Sequence, residues 1–126
     1  MRTYKSEKDV KKQVKQLLTK HEYFWWMPPA NGFGVAGIAD IQALRAGVFV
    51  AIETKFNGNK PTPSQRAFLQ SILAQDAFAF VVDEKNIDWF QAWLEAFDRS
   101  MKVQKPSEED GALMLNAIKA MTEALV

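Results

Sequence analysis

Glu53 and Lys55, in the stretch GVFVAIETKFNG (residues 47–58), set a carboxylate and an ammonium two positions apart at the end of the β-rich apolar run from Val48 to Ile52. Side chains alternate along a strand, so the two point the same way, on the face that also carries Phe49 and Ala51. Carboxylate oxygens are hard ligands that suit Mg²⁺, and a bound divalent ion lowers the pKa of its water and stabilises charge on phosphate oxygens. The plain alternative is an ion pair on an exposed edge strand, worth only about 0 to 1 kcal/mol.

Three further polar residues converge on the same patch. If GIADIQAL is a strand paired with VFVAIETK around a two-residue turn at Ala46-Gly47, Arg45 faces Val48, and counting back sets Asp40 opposite Glu53. Glu7 lies three residues before Val10 and seven before Val14, on the apolar stripe of a first helix. Gln65 lies three before Phe68 and four before Leu69, on the inward face of another. Each has a plain reading as well: Glu7 complements the helix dipole, and Gln65 closes a capping box with Thr62. Buried together, such groups are costly unless a metal or substrate satisfies them.

The elements that would position these residues follow from periodicity and punctuation. Ser6 caps a helix of about 15 residues with Val10, Val14, Leu17 and Leu18 on its apolar side. EYFWWM reads as a strand ending at Pro28-Pro29, and the glycine-rich ANGFGVAG leads to the hairpin. Thr62 and Pro63 open a second helix with Phe68, Leu69, Ile72 and Leu73 inward, followed by the strand AFAFVVD. NIDWFQAWLEAFDRS and, after the linker MKVQKP, the segment starting at Ser107 are two more helices. The expected fold class is therefore α/β: a mixed sheet of about four strands, with the first helix on one side.

Composition bounds the chemistry. The chain has 126 residues, 48% of them hydrophobic and 25% charged, which suits one globular domain. With no cysteine and one histidine, disulfides, thiolate nucleophiles and cysteine zinc sites are excluded, and any metal should be held by oxygen. The N-terminus is charged without an apolar signal region, and no apolar run is long enough to span a bilayer, so a soluble, cytoplasmic protein is expected, neither secreted nor membrane-bound. Net charge is +1, but residues 1–20 hold seven Lys or Arg against two acids, whereas residues 76–98 hold six acids against one Lys, so a basic face is expected rather than a basic protein.

The set E7…GIAD40…VFVAIE53TK55…TPSQ65, followed by AFAFVVD, resembles the PD-(D/E)xK nuclease superfamily and, within it, the virus-type replication-repair nuclease (VRR-NUC) family. Ala39 stands where the superfamily pattern has proline. The resemblance covers roughly residues 6 to 83 and implies a restriction-endonuclease-like core over residues 1–100, with 101–126 as a C-terminal helical extension of the same domain. It implies a metal-dependent DNA endonuclease: Asp40, Glu53 and the Thr54 backbone carbonyl would hold Mg²⁺, with Mn²⁺ as a substitute. Lys55 would orient or help deprotonate the attacking water, Glu7 would support a metal, and Gln65 would position Lys55 or phosphate. Branched or Holliday-junction DNA as substrate, a homodimer, and a bacterial or phage-infected cell are further implications. A nicking or end-processing activity on simpler DNA is the alternative.

DNA contacts are expected from Lys8, Lys11, Lys12 and Lys15 on the first helix, with Asn31 and Lys60 flanking the glycine loop. That loop also carries a rival reading. Gly32, Gly34 and Gly37 form G-x-G-x-x-G after a strand, and Glu53 follows at the distance of a ribose-binding acid, so a helix over IADIQALRA would make this a Rossmann-like nucleotide-binding module. A third reading is a DNA-binding module without chemistry. At least three of Trp25, Trp26, Trp89 and Trp93 are expected in the core, and His21 is expected to pack or to complement the helix dipole. Leu113, Ile118, Met121 and Leu125 form an apolar face that either covers the sheet or meets a second subunit.

Overall fold

The computed structural model describes residues 2–29, 34–100 and 108–124. Asn31, Gly32, the expected linker 101–106, the expected cap Ser107 and Leu125 of the expected apolar face lie outside the described residues. The elements run α1 (Glu7–Lys20), β1 (Phe24–Trp26), β2 (Ile41–Arg45), β3 (Val48–Thr54), α2 (Pro63–Ala74), β4 (Phe78–Val82), α3 (Ile87–Ser100) and α4 (Glu108–Ala124). This is a mixed α/β fold: one four-stranded sheet in the order β1-β2-β3-β4, flanked by helices. No described helix is long and apolar enough to cross a membrane.

Local chemistry accounts for the element ends. The Ser6 hydroxyl accepts the Asp9 N–H at the start of α1. At its end, Tyr23 N–H donates to the Leu18 carbonyl and Glu22 N–H to Thr19, with Glu22 at φ 66°, a Schellman closure that turns the chain into β1. Thr62 caps α2 in a full capping box, with Pro63 in the first turn.

The β2–β3 turn fixes the register. Ala46 at φ 52° and Gly47 at φ 80° give the left-handed pair of a type I′ turn, whose twist matches the strands it joins. Arg45 pairs with Val48 and Ile41 with Ile52, so the next position back places Asp40 beside Glu53. Residues 41–45 are strand, so the helix that a Rossmann-like unit needs there is absent.

Antiparallel to β2 and parallel to β4, β3 is an inner strand of the sheet, not the edge strand of the plain ion-pair reading. Its alternate residues serve two cores. Val50 and Ile52 join Ile41 and Ala43 under α1 (Val10, Val14, Leu17, Leu18) and α3 (Ile87, Phe90, Leu94). Ala51, with Ala39 and the flanking Phe49, Ala79 and Val81, packs under α2 through Leu69, Phe68 and Ile72. The crossover from β3 to β4 through α2 thus covers the face from which Glu53 projects.

The tryptophans depart from expectation. None of the four is fully buried: Trp25 and Trp93 pack on the margin of the first core, Trp26 is half-buried against Phe24 and Phe49, and Trp89 is 59% exposed. Their polar indole nitrogens and bulk suit the rim of so small a core, where smaller aliphatic side chains fill the centre.

Candidate active site

Glu53 is 2% exposed on an inner strand, and its Oε2 accepts the backbone N–H of Asp40 at 3.3 Å. Lys55 Nζ sits 3.7 Å from the other carboxylate oxygen and is itself largely buried. Asp40, just before β2, is held by Thr54, whose N–H and hydroxyl both donate to Asp40 Oδ2, at 3.0 and 2.8 Å. On its open side, Asp40 Oδ1 lies 3.8 Å from Lys11 Nζ of α1. The hairpin register and α1 together therefore bring two carboxylates and two ammonium groups to one end of the sheet.

These contacts leave the carboxylates strained against each other. Burial, with the nearby Asp40 charge adding to it, pushes the Glu53 carboxyl up to about 7 from an ordinary 4.5, against the opposing pull of Lys55. Lys55, at 3.7 Å, does not offset the burial of Glu53 beside a second carboxylate.

The loop before Asp40 is fixed by Gly37. At φ +72°, a Cβ there would meet the Ser64 carbonyl carbon and oxygen at 2.3 Å, so the loop lies directly against the first turn of α2. A groove of about 700 Å³ opens beside Asp40, walled by Lys11, the 27–29 segment and the 34–40 segment.

The oxygens present fit one hard divalent cation. Thr54 N–H points to Asp40 while Lys55 N–H pairs with the Val82 carbonyl of β4, so the Thr54 carbonyl, on the same side of its strand as its own N–H, lies toward Asp40. Asp40, Glu53 and that carbonyl are the oxygens that could hold such a cation. Among the described residues, no three His, Cys, Asp or Glu side chains gather as a metal cluster.

That bears on Glu7. Expected on the inward stripe, it is exposed in the first turn of α1. The first buried position of the helix is Val10, and Glu7, one turn before Lys11, shares the helix margin with that lysine. Gln65 is half-buried, and its Oε1 accepts the Thr62 N–H at 2.9 Å, so the capping-box reading describes it; among the described residues it makes no hydrogen bond to Lys55.

No family model matches the chain, and no curated protein matches it. The site's case rests on its own geometry.

Of the remaining expected residues, Lys8 and Lys12 are exposed on α1, Lys15 is half-buried there, and Lys60 is exposed before α2. Two features escaped the sequence reading. The Thr54 side chain anchors Asp40, a role its position beside Glu53 and Lys55 could have suggested. His21, expected to pack or to complement the dipole, is buried and donates from Nδ1 to Asp98 of α3, which also pairs with Arg45 at the hairpin end. The Arg45 guanidinium lies over the Tyr23 ring at 5.7 Å, and burial pushes the Tyr23 hydroxyl up to about 12. This second polar cluster ties α1, β2 and α3 together at the end of the sheet away from Asp40.

Proposed function

We propose that the chain is a metal-dependent endonuclease hydrolysing phosphodiester bonds of DNA. The observation that carries the reading is Glu53, buried on an inner strand between Asp40 and Lys55. A carboxylate-lysine pair kept only for stability has no reason to be desolvated beside a second carboxylate, whereas one that meets a cation and a phosphate does.

Asp40, Glu53 and the Thr54 carbonyl would hold Mg²⁺ or Mn²⁺, which when bound supplies a water of lowered pKa and offsets charge on the phosphate. Thr54 keeps Asp40 oriented through two hydrogen bonds. Lys55 Nζ, held against Glu53 at 3.7 Å, would donate to the attacking water or to a non-bridging phosphate oxygen. Lys11, beside Asp40 at the groove, meets the phosphate on the far side. Glu7 and Gln65 stand outside this arrangement in the free protein, so we assign neither a direct step.

Branched DNA, including four-way junctions, is the proposed substrate, cut in the cytoplasm by a homodimer whose symmetry matches paired strands. α4 supports the dimer: Leu113, Met114, Leu115, Ile118 and Met121 are each more than half exposed. Nicking or end-processing of simpler DNA is the competing activity. The deciding experiment compares matched linear, flap, fork and four-way junction substrates in Mg²⁺, Mn²⁺, Ca²⁺ and EDTA. Cleavage in Mg²⁺ or Mn²⁺ that prefers junctions supports the proposal in full. Equal cleavage of linear DNA moves it to the simpler activity. Binding with no cleavage in any metal replaces it with a DNA-binding module.

A further inference from the structure

A second groove, of about 510 Å³, lies along the outer side of α1 against the edge strand β1, lined by Lys12, Lys15, Gln16, Thr19, Lys20 and Trp25. Trp25 forms its floor. The indole packs on the core margin, its Nε1–H donates to Thr19 Oγ1 at 2.9 Å, and Lys15 Nζ lies over the ring at 5.9 Å. The ring is thus held in one orientation, with the Lys15 ammonium above it.

The charge around it has one sign. From Val10 to His21 the chain holds Lys11, Lys12, Lys15 and Lys20 and no acid; the flanking acids are Asp9 and Glu22. Lys11, which reaches Asp40, and Lys15, which lies over Trp25, are one turn apart and neighbours on the helix surface. A line of cations therefore leads from the carboxylate site to a fixed aromatic ring.

We propose that this groove binds one unpaired strand of polynucleotide, a base lying on the Trp25 ring and the adjoining phosphates on Lys12, Lys15 and Lys20. A positively charged track with an aromatic platform suits an unpaired strand, because every base has a π-face and the backbone repeats its charge. Lys15 leaves the ring for a phosphate as the base arrives, exchanging a weak exposed cation–π contact for a charge-assisted one. The site extends the DNA reading and rests on it for the presence of a strand at Asp40, but the binding itself is tested without cleavage.

The test is fluorescence anisotropy of a labelled oligo-dT of about 20 nucleotides in EDTA, across a salt series. Trp25→Leu should weaken binding about tenfold and Trp25→Phe by no more than about threefold, since phenylalanine keeps a stacking face. Lys12→Gln/Lys20→Gln, both exposed positions, should reduce the salt slope by about one to one and a half. Photocrosslinking of a 5-iodouracil strand to the unaltered chain should place the adduct on Trp25, a readout that stands even if Trp25→Leu fails to fold. An adduct elsewhere, an unchanged salt slope, or displacement by polyglutamate as effective as by unlabelled oligo-dT would overturn the proposal, the last assigning the groove to polyanions at large. Trp25-dependent binding in a chain that cuts no DNA would leave the groove standing and remove the nuclease. Cleavage with wild-type oligo-dT binding in a folded Trp25→Leu would do the reverse.

Discussion

The backbone N–H of Asp40 donates to Glu53 Oε2 at 3.3 Å while Thr54 holds the Asp40 carboxylate through two hydrogen bonds, so the two carboxylates are kept as neighbours at the end of the hairpin. The folded protein binds a proton at Glu53 more tightly than the unfolded chain, with the carboxyl raised from 4.5 to about 7. The stability this contributes is fully present below the unfolded value and is lost as pH rises through about 7. At 1.36 kcal/mol per unit the loss is on the order of 3 kcal/mol. Melting curves in EDTA should therefore fall between pH 5 and 8. Glu53→Gln should flatten that dependence and melt above wild type at pH 8, and Mg²⁺ should raise the wild-type curve most at pH 8, where it no longer competes with the proton. A wild-type melting temperature independent of pH would remove the buried-carboxylate account.

Lys55 separates chemistry from simple charge balance. Lys55→Ala should lower cleavage by at least about 10²-fold while Asp40 and Glu53 still bind Mn²⁺. Its stability in EDTA should fall modestly, since Glu53 loses its partner but can take up a proton. Single-turnover cleavage beside metal-titrated melting makes the distinction. Wild-type turnover in Lys55→Ala would mean that the site is wrongly assigned.

Gly37 holds the site loop on α2. Gly37→Ala places a methyl 2.3 Å from the Ser64 backbone at a φ of +72°, so both sterics and conformation oppose it. The backbone neighbours cannot rotate away, and a loss of about 2 to 4 kcal/mol is expected, measured by urea unfolding. A near-neutral result would show that the loop does not pack on the first turn of α2.

Much of this arrangement was legible because the hairpin is local. Once Ala46-Gly47 is taken as a two-residue turn, counting alone brings Asp40 to Glu53, and the observed Arg45–Val48 and Ile41–Ile52 pairs follow that count. Periodicity likewise finds the order of all eight elements. It fails where a face continues past the core: Glu7 has the right spacing for the inward stripe of α1, yet no residue of the helix before Val10 is buried. Nor does spacing reveal partners far apart in sequence. His21 and Asp98 are 77 residues apart and Arg45 and Asp98 are 53 apart, so only the packing of α3 against α1 and the hairpin brings them together.

Asp98 should carry part of the acid stability. Burial opposes its ionisation, but hydrogen bonds from His21 and Arg45 outweigh that and hold the carboxyl below its ordinary 3.8. Its contribution is present above the unfolded value and is lost as pH falls through the lower folded one. Asp98→Asn should cost about 2 kcal/mol at neutral pH, because the Arg45 guanidinium and the His21 ring lose a charged acceptor, and the gap to wild type should narrow below about pH 4. Chemical denaturation at pH 7 and pH 3 checks both halves, and a gap that widens in acid would contradict the sign.

The proposed homodimer is tested on α4. Met114, Ile118 and Met121 recur at helical spacing and are 57%, 59% and 68% exposed, which leaves a continuous apolar stripe open on a helix whose described neighbours do not cover it. If a second copy covers that stripe, sedimentation velocity at micromolar concentration should give a dimer, and Ile118→Glu/Met121→Glu should shift it to monomer by burying two unpaired charges in the interface. Because Asp40, Glu53 and Lys55 lie in the body of the fold, the variant should keep its metal-dependent melting shift and cut a single strand at a near-normal rate. Paired cuts across a four-way junction should be lost with the dimer. A wild-type monomer, unchanged by added DNA, would leave α4 without this partner and the coordinated cutting without its physical basis.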